Sequence, residues 1–159
     1  MDQVLAIDVG TQSLKAAVFD SNLAMLDRQQ VSYTPVVKAG KWVEIEAQVL
    51  WNAFAEACKK LRKAKEVKAI SFSTLCPSLV PIDADGNSLS PMILHLDRRS
   101  YPQAVWALAR VGQGKFLRTA GNLPFPGGIS LISLLWIKEN KPSIYSQKNA
   151  IFGHAVNFL

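Results

Sequence analysis

Residues 4–20 read VLAIDVGTQSLKAAVFD. Val4–Val9 is an apolar run broken by one carboxylate, Asp8, and residues 14–20 form a second apolar run. Gly10 separates the two, and Thr11, Gln12 and Ser13 complete the polar turn between them. Branched and apolar residues on either side of a short Gly-containing turn predict two strands joined as a hairpin. Asp20, Ser21 and Asn22 supply turn chemistry before a third strand over 24–33. Three consecutive hairpin-linked strands therefore open the chain.

Further along, the period changes. Val49, Leu50, Ala53, Phe54, Ala57, Cys58 and Leu61 recur at helical spacing, which predicts a helix over 47–63 with one buried face. Short strands are expected over 68–73, 79–82, 92–96 and 149–152, and helices over 101–110, 113–120 and 130–140. Lys141-Pro142 stops the last of these helices. Residues 38–42 and 121–128 read as loops, 83–86 and 143–147 as turns. Strands first, then alternating α and β, predict an α/β fold built on one mixed sheet with helices on both faces. No internal repeat or low-complexity linker interrupts it. The closing GHAVNFL begins an amphipathic pattern without a stop signal, so a continuation into a longer protein is expected.

Composition narrows the class. Hydrophobic residues are 49% and charged residues 19%, a globular balance. No apolar run reaches the length that spans a bilayer, and Met1-Asp2-Gln3 lacks the basic start of a secretory signal. No membrane partner is expected. Two cysteines, Cys58 and Cys76, make no disulfide framework or zinc pattern, and a reducing cytoplasm is the simplest home. The net charge is +6, but Lys59, Lys60, Arg62, Lys63, Lys65 and Lys68 gather at the end of one expected helix and just beyond it. Cations favour a helix C-terminus, and no aromatic residues interleave there, so the cluster reads as a solvated end and no nucleic-acid partner is expected.

The first hairpin tip carries the chemistry. Glycine lets backbone approach a ligand closely and take unusual dihedrals, and successive turn N–H groups form an anion-binding concavity. Thr11 and Ser13 add hydroxyl donors, and Lys15 adds a positive charge. Asp8 would repel a phosphate and instead suits the magnesium that accompanies a nucleotide, held through water. No G-x-x-x-x-G-K-[ST] loop is present, and a strand rather than a helix follows, so no helix dipole helps. The alternative reading is a plain hairpin with a polar tip.

IDVGTQSLKAAVFD resembles the first phosphate motif of the FGGY carbohydrate kinases, relatives of actin, hexokinase and the heat-shock ATPases. GKWVEIEAQVLWNAFAEACKKL, AISFSTLCPSLVPIDADGNSLSPMILHLDRRS and TAGNLPFPGGISLISLLWIKENKPSIY resemble later stretches of the same family, in the family's order. Xylulokinase-like members look nearest. The resemblance implies a ribonuclease-H-like fold, with residues 1–159 as the N-terminal portion of the first kinase domain. The second domain, the catalytic aspartate and the adenosine site lie beyond it, so the piece alone is expected to be inactive. It also implies ATP and Mg2+ as cofactors and a small-molecule sugar or polyol as phosphoryl acceptor, and leaves room for a homodimer. Gly10, Thr11, Gln12, Ser13 and Lys15 would meet the phosphates, with Asp8 at magnesium. Thr74, Leu75, Cys76, Pro77 and Ser78 match the sugar stretch, where Cys76-Pro77 departs from the family's polar residues. Asp97 and Arg98 match the D-x-R stretch, with Asp97 lining the sugar pocket; the alternative is a solvated cap, with Asp97 or Ser100 before the helix that follows. Cys76 reads as a small core residue, His95 as a satisfied structural histidine, and Trp42, Trp51, Trp106 and Trp136 as core or interdomain packing. Two other classes remain open: a conformational ATPase of the actin type, and a non-catalytic sugar-sensing or interaction module suggested by the eroded sugar stretch.

Overall fold

The computed structural model describes residues 2–38, 40–64 and 66–159. Lys65 of the basic cluster and Ala39 of the 38–42 loop lie outside the described residues. In chain order the elements are β1 (Gln3–Val9), β2 (Ser13–Asp20), β3 (Met25–Ser32), β4 (Val36–Lys38), β5 (Trp42–Ile45), α1 (Ala47–Lys60), β6 (Val67–Thr74), β7 (Ser78–Ile82), β8 (Met92–Leu94), α2 (Tyr101–Val111), α3 (Gln113–Ala120), α4 (Ser130–Asn140), α5 (Pro142–Tyr145), β9 (Ile151–Gly153) and α6 (Ala155–Phe158). They fall into two compact units: Met1–Pro35 with Ala47–Leu75 and Leu159, and Val36–Glu46 with Cys76–Phe158.

The first unit is a mixed sheet in the order β3-β2-β1-β6. β1 and β2 are antiparallel, β2 and β3 antiparallel, and β1 and β6 parallel. Strand alternation sends Leu5, Ile7, Val9, Leu14, Ala16 and Val18 to one buried face. α1 lies against β2 and β3 and buries Ala47, Leu50, Ala53 and Ala57. Each fully buried Leu or Ile stabilises the unit by about 2 kcal/mol. The expected helix over 47–63 ends three residues early. Asp27 of β3 is the reason: its Oδ2 accepts the Arg62 N–H at 2.7 Å and the Lys63 N–H at 3.3 Å, drawing both donors out of the helical ladder. Lys59 and Lys60 stay in the last turn of α1, where the macrodipole favours them.

The second unit holds a sheet that the one-sheet expectation missed, antiparallel throughout in the order β4-β5-β8-β7-β9. Of the expected loop at 38–42, Lys38 closes β4 and Trp42 opens β5, and the two pair in the first hairpin. Leu79, Ile93, Trp136 and Ile137 form one core cluster, and Ala104, Ala107, Phe116 and Ile132 another. Beside the first, Arg99 is clamped. Its Nε donates to both Asp97 oxygens and its Nη2 donates to Glu44 Oε2 at 2.7 Å. Its guanidinium carbon lies 4.1 Å from the Trp42 ring centroid and 5.0 Å from that of Trp136. Trp42 and Trp136 therefore pack internally as expected, whereas Trp51 and Trp106 are exposed.

Candidate functional site

Two parallel strands finish together at one margin of the first sheet. β1 ends at Val9 beside Thr74 of β6, and the Leu75 N–H closes onto the Val9 carbonyl at 2.8 Å. The hairpin tip at 10–13 leaves β1 next to the point where 74–75 leaves β6. The carboxyl ends of parallel strands are where α/β sheets present ligands.

Asp8 points to the face opposite α1. The antiparallel register sets it across from Lys15, whose Nζ donates to Asp8 Oδ2 at 2.8 Å. The Lys15 and Asp8 side chains are 42% and 49% exposed, so an incoming anion or cation reaches either partner. A cavity of about 360 Å³ opens on this face, with Asp8, Lys15, Phe19, Ser71 and Ser73 in its lining. No group of three or more His, Cys, Asp or Glu is placed to hold a metal among the described residues. A lone accessible carboxylate does not make a protein cage. It suits magnesium, which keeps its waters and takes one or two carboxylates plus substrate phosphates.

The tip itself is tightly tied. The Gly10 N–H donates to the Ser13 carbonyl at 2.9 Å. Gly10 does not need a positive φ; what favours glycine is proximity, because a Cβ there would lie 3.2 Å from the Ser13 carbonyl oxygen. Tyr33, just past β3, donates its N–H to the Gln12 carbonyl at 2.9 Å and its hydroxyl to the Gly10 carbonyl at 2.6 Å. Burial, and then the negative charge of Asp8, push the Tyr33 phenol up to about 12. Among the described residues, the N–H groups of Thr11 and Gln12 and the hydroxyls of Thr11 and Ser13 meet no acceptor. The tip thus keeps donors that no protein acceptor occupies among the described residues. The sequence reading overlooked Tyr33; its only signal is a hydroxyl-bearing aromatic directly after the strand that pairs with β2.

The residues matched to the sugar stretch fare differently. Thr74 is half-buried at the end of β6, Leu75 is buried, and Cys76 is exposed rather than in a core. In the second unit Pro77 is half-buried and Ser78 is interior: its Oγ accepts the Ala155 N–H at 3.1 Å, and its carbonyl accepts the Ser130 hydroxyl at 3.1 Å. Asp97 is 1% exposed, and its oxygens accept from the Val43 N–H at 2.6 Å, the Arg99 N–H at 2.8 Å and the Arg99 guanidinium. Ser78 and Asp97 are therefore internal ties in this structure, because each already satisfies backbone donors. Arg98 is exposed, but its Nη1 donates to the carbonyls of His95, Asp97 and Pro126 and fastens that loop. Ser100 stands at the N-cap of α2 without a side-chain capping bond, and its buried Oγ has no partner among the described residues. His95 Nδ1 is likewise buried without a partner among them, against the expectation of a satisfied histidine.

A family profile described as "FGGY family of carbohydrate kinases, N-terminal domain" matches residues 3–157. The chain belongs to the FGGY carbohydrate kinases. A xylulose kinase of Staphylococcus xylosus is 27% identical over 150 residues, which cover 92% of this FGGY chain and 31% of the relative. A xylulose kinase structure from Brucella ovis superposes with a TM-score of 0.84 at 25% identity, covering 94% of this chain and 32% of that one. A Plasmodium falciparum glycerol kinase solved with ADP superposes with a TM-score of 0.84 at 20% identity, over 99% of this chain and 33% of its own. The fold is therefore the actin- and hexokinase-like ribonuclease-H fold. This FGGY chain spans about a third of the length of the curated relatives it matches. Among the described residues no helix is long and apolar enough to cross a membrane.

Proposed function

We propose that this FGGY chain supplies the first phosphate-binding hairpin and part of the acceptor site of an ATP-dependent, xylulokinase-like carbohydrate kinase. One observation carries the reading: at the end of β1, the tip presents free N–H and hydroxyl donors next to an accessible Lys15–Asp8 pair. Gly10, Thr11, Gln12, Ser13 and Lys15 receive the phosphate chain of ATP. Asp8 would hold Mg2+ through water, and the ion would supply charge neutralisation at the phosphates. Phosphoryl transfer asks the protein mainly to position groups and balance charge, and this hairpin is built for that. Lys15 must leave Asp8 to engage a phosphate, and the half-exposed pair leaves it free to do so. Thr74 and Leu75 of the first unit approach the sugar or polyol; in the second unit Arg98 fastens its own loop, and Ser78 and Asp97 act as internal ties. Unpaired cysteines and ATP chemistry suit the cytoplasm.

The test is a coupled Mg-ATP assay of the full-length protein across ketoses and polyols. Transfer to at least one acceptor is expected, and Asp8→Ala should lower the rate at least ~100-fold, the loss typical of an essential charge-positioning group. Turnover unchanged by that substitution removes the assignment. A second reading, a sugar-sensing module without catalysis, is favoured by the internal commitment of Ser78 and Asp97. Sugar binding without phosphate transfer at any acceptor would select it.

A further inference from the structure

A tip that binds phosphate must keep its carbonyls out of the anion's way. A two-residue hairpin normally closes with the N–H of its fourth residue on the carbonyl of its first. Here those residues are Ser13 and Gly10, and among the described residues that bond is not made. The Gly10 carbonyl turns instead to the Tyr33 hydroxyl, 2.6 Å away. The Gln12 carbonyl is taken by the Tyr33 N–H at 2.9 Å, and the Ser13 carbonyl by the Gly10 N–H at 2.9 Å.

A trans peptide places its N–H opposite its C=O. Fixing the Gly10 carbonyl therefore fixes the Thr11 N–H, and fixing the Gln12 carbonyl fixes the Ser13 N–H. One residue sets the direction of both donors. We propose that Tyr33 is the positioning residue of the phosphate-binding tip: its main-chain and side-chain donors occupy the Gly10 and Gln12 carbonyls, so that neither carbonyl is left to face a phosphate chain. This rests on the phosphate reading and adds the device that makes it work. Without the hydroxyl, the Gly10–Thr11 peptide is free to rotate, bringing its carbonyl to the outer side, where it repels an anion, or closing the ordinary turn bond with Ser13. Tyr33 serves as a donor throughout the neutral range, as any phenol does, and burial pushes this one further up to about 12.

The experiment titrates the isotopically labelled 159-residue chain with inorganic tripolyphosphate and follows the amide signals of Thr11, Gln12 and Ser13. In the wild type these amides should shift, with a Kd in the millimolar range. Tyr33→Phe keeps the ring and the main-chain bond and removes only the hydroxyl. It should weaken binding about tenfold, the worth of one lost hydrogen bond. It should also move the Gly10 carbonyl carbon resonance, with the rest of the spectrum unchanged. Lys15→Met, which leaves the Tyr33 bonds in place, should weaken binding without moving that resonance. If wild-type tip amides ignore tripolyphosphate, the phosphate reading fails and the role of Tyr33 with it. If they respond and Tyr33→Phe binds equally well, the phosphate reading stands and the positioning role alone is overturned.

Discussion

Gly121 and Gly127 share nearly the same left-handed backbone, with φ of 68° and 70°, for different reasons. A Cβ on Gly121 would meet nothing within 4 Å, whereas one on Gly127 would lie 2.1 Å from the His95 carbonyl oxygen. Gly121→Ala should then cost about 1 kcal/mol, the conformational penalty alone. Gly127→Ala must also displace main chain and should cost about 3 kcal/mol. Urea unfolding of the two variants checks this, and equal losses would mean that the His95 loop yields freely. Legibility at this scale follows the same division between local and distant causes. Asp8 and Lys15 were readable because strand parity fixes where each points. The internal bonds of Ser78 and Asp97 were not readable because their partners, the Ala155 and Val43 N–H groups, are far along the chain. Tyr33 was unreadable for that reason too: its hydroxyl acts 23 residues away.

Among the elements, β5 and the segment just before α2 are joined by charge. Burial raises the Glu44 carboxyl, but hydrogen bonds from Lys38 and Arg99 outweigh it and hold the group below the usual carboxylate range. A depressed folded pKa means that the stabilisation is complete above the unfolded value of about 4.3 and is lost as pH falls through the folded value. Acid should therefore loosen the second unit below about pH 4. Glu44→Gln should flatten that acid limb and cost about 3 kcal/mol at neutral pH, since it leaves Arg99 short of a buried counter-charge. An unaltered pH profile in melting experiments would contradict the network's role. The elements themselves were mostly readable from period. The first three strands, α1, α3 and α4 lie close to expectation because alternation and helical spacing are strong there. β4 escaped notice because Val36, Val37 and Lys38 are all exposed and show no alternation. The true end of α1 depends on Asp27, which no local helix signal marks.

For the whole molecule, order of elements gave the fold class, and motif resemblance gave the family. The division into two sheets was not visible, because the strands of the second are short and come from separated parts of the chain. The same scale sets the affinity to expect. A solvent-open tip makes only a few charge-assisted bonds, so the 159-residue chain should bind Mg-ATP no tighter than millimolar, about −4 kcal/mol. Calorimetry giving a micromolar Kd would show that this chain carries a fuller nucleotide site than its hairpin provides.

The Trp42–Trp136 contact gives the second unit a spectroscopic signature of its own. Their rings meet edge to face with centroids 5.4 Å apart, held rigid around Arg99. Coupled, immobilised indoles produce strong near-ultraviolet ellipticity, and the first unit's only indole, Trp51, is 42% exposed and has no such partner. Near-ultraviolet dichroism thus reads the second unit, while the far-ultraviolet band reads both. The separation of the two curves in a urea titration measures directly how far the units melt as one.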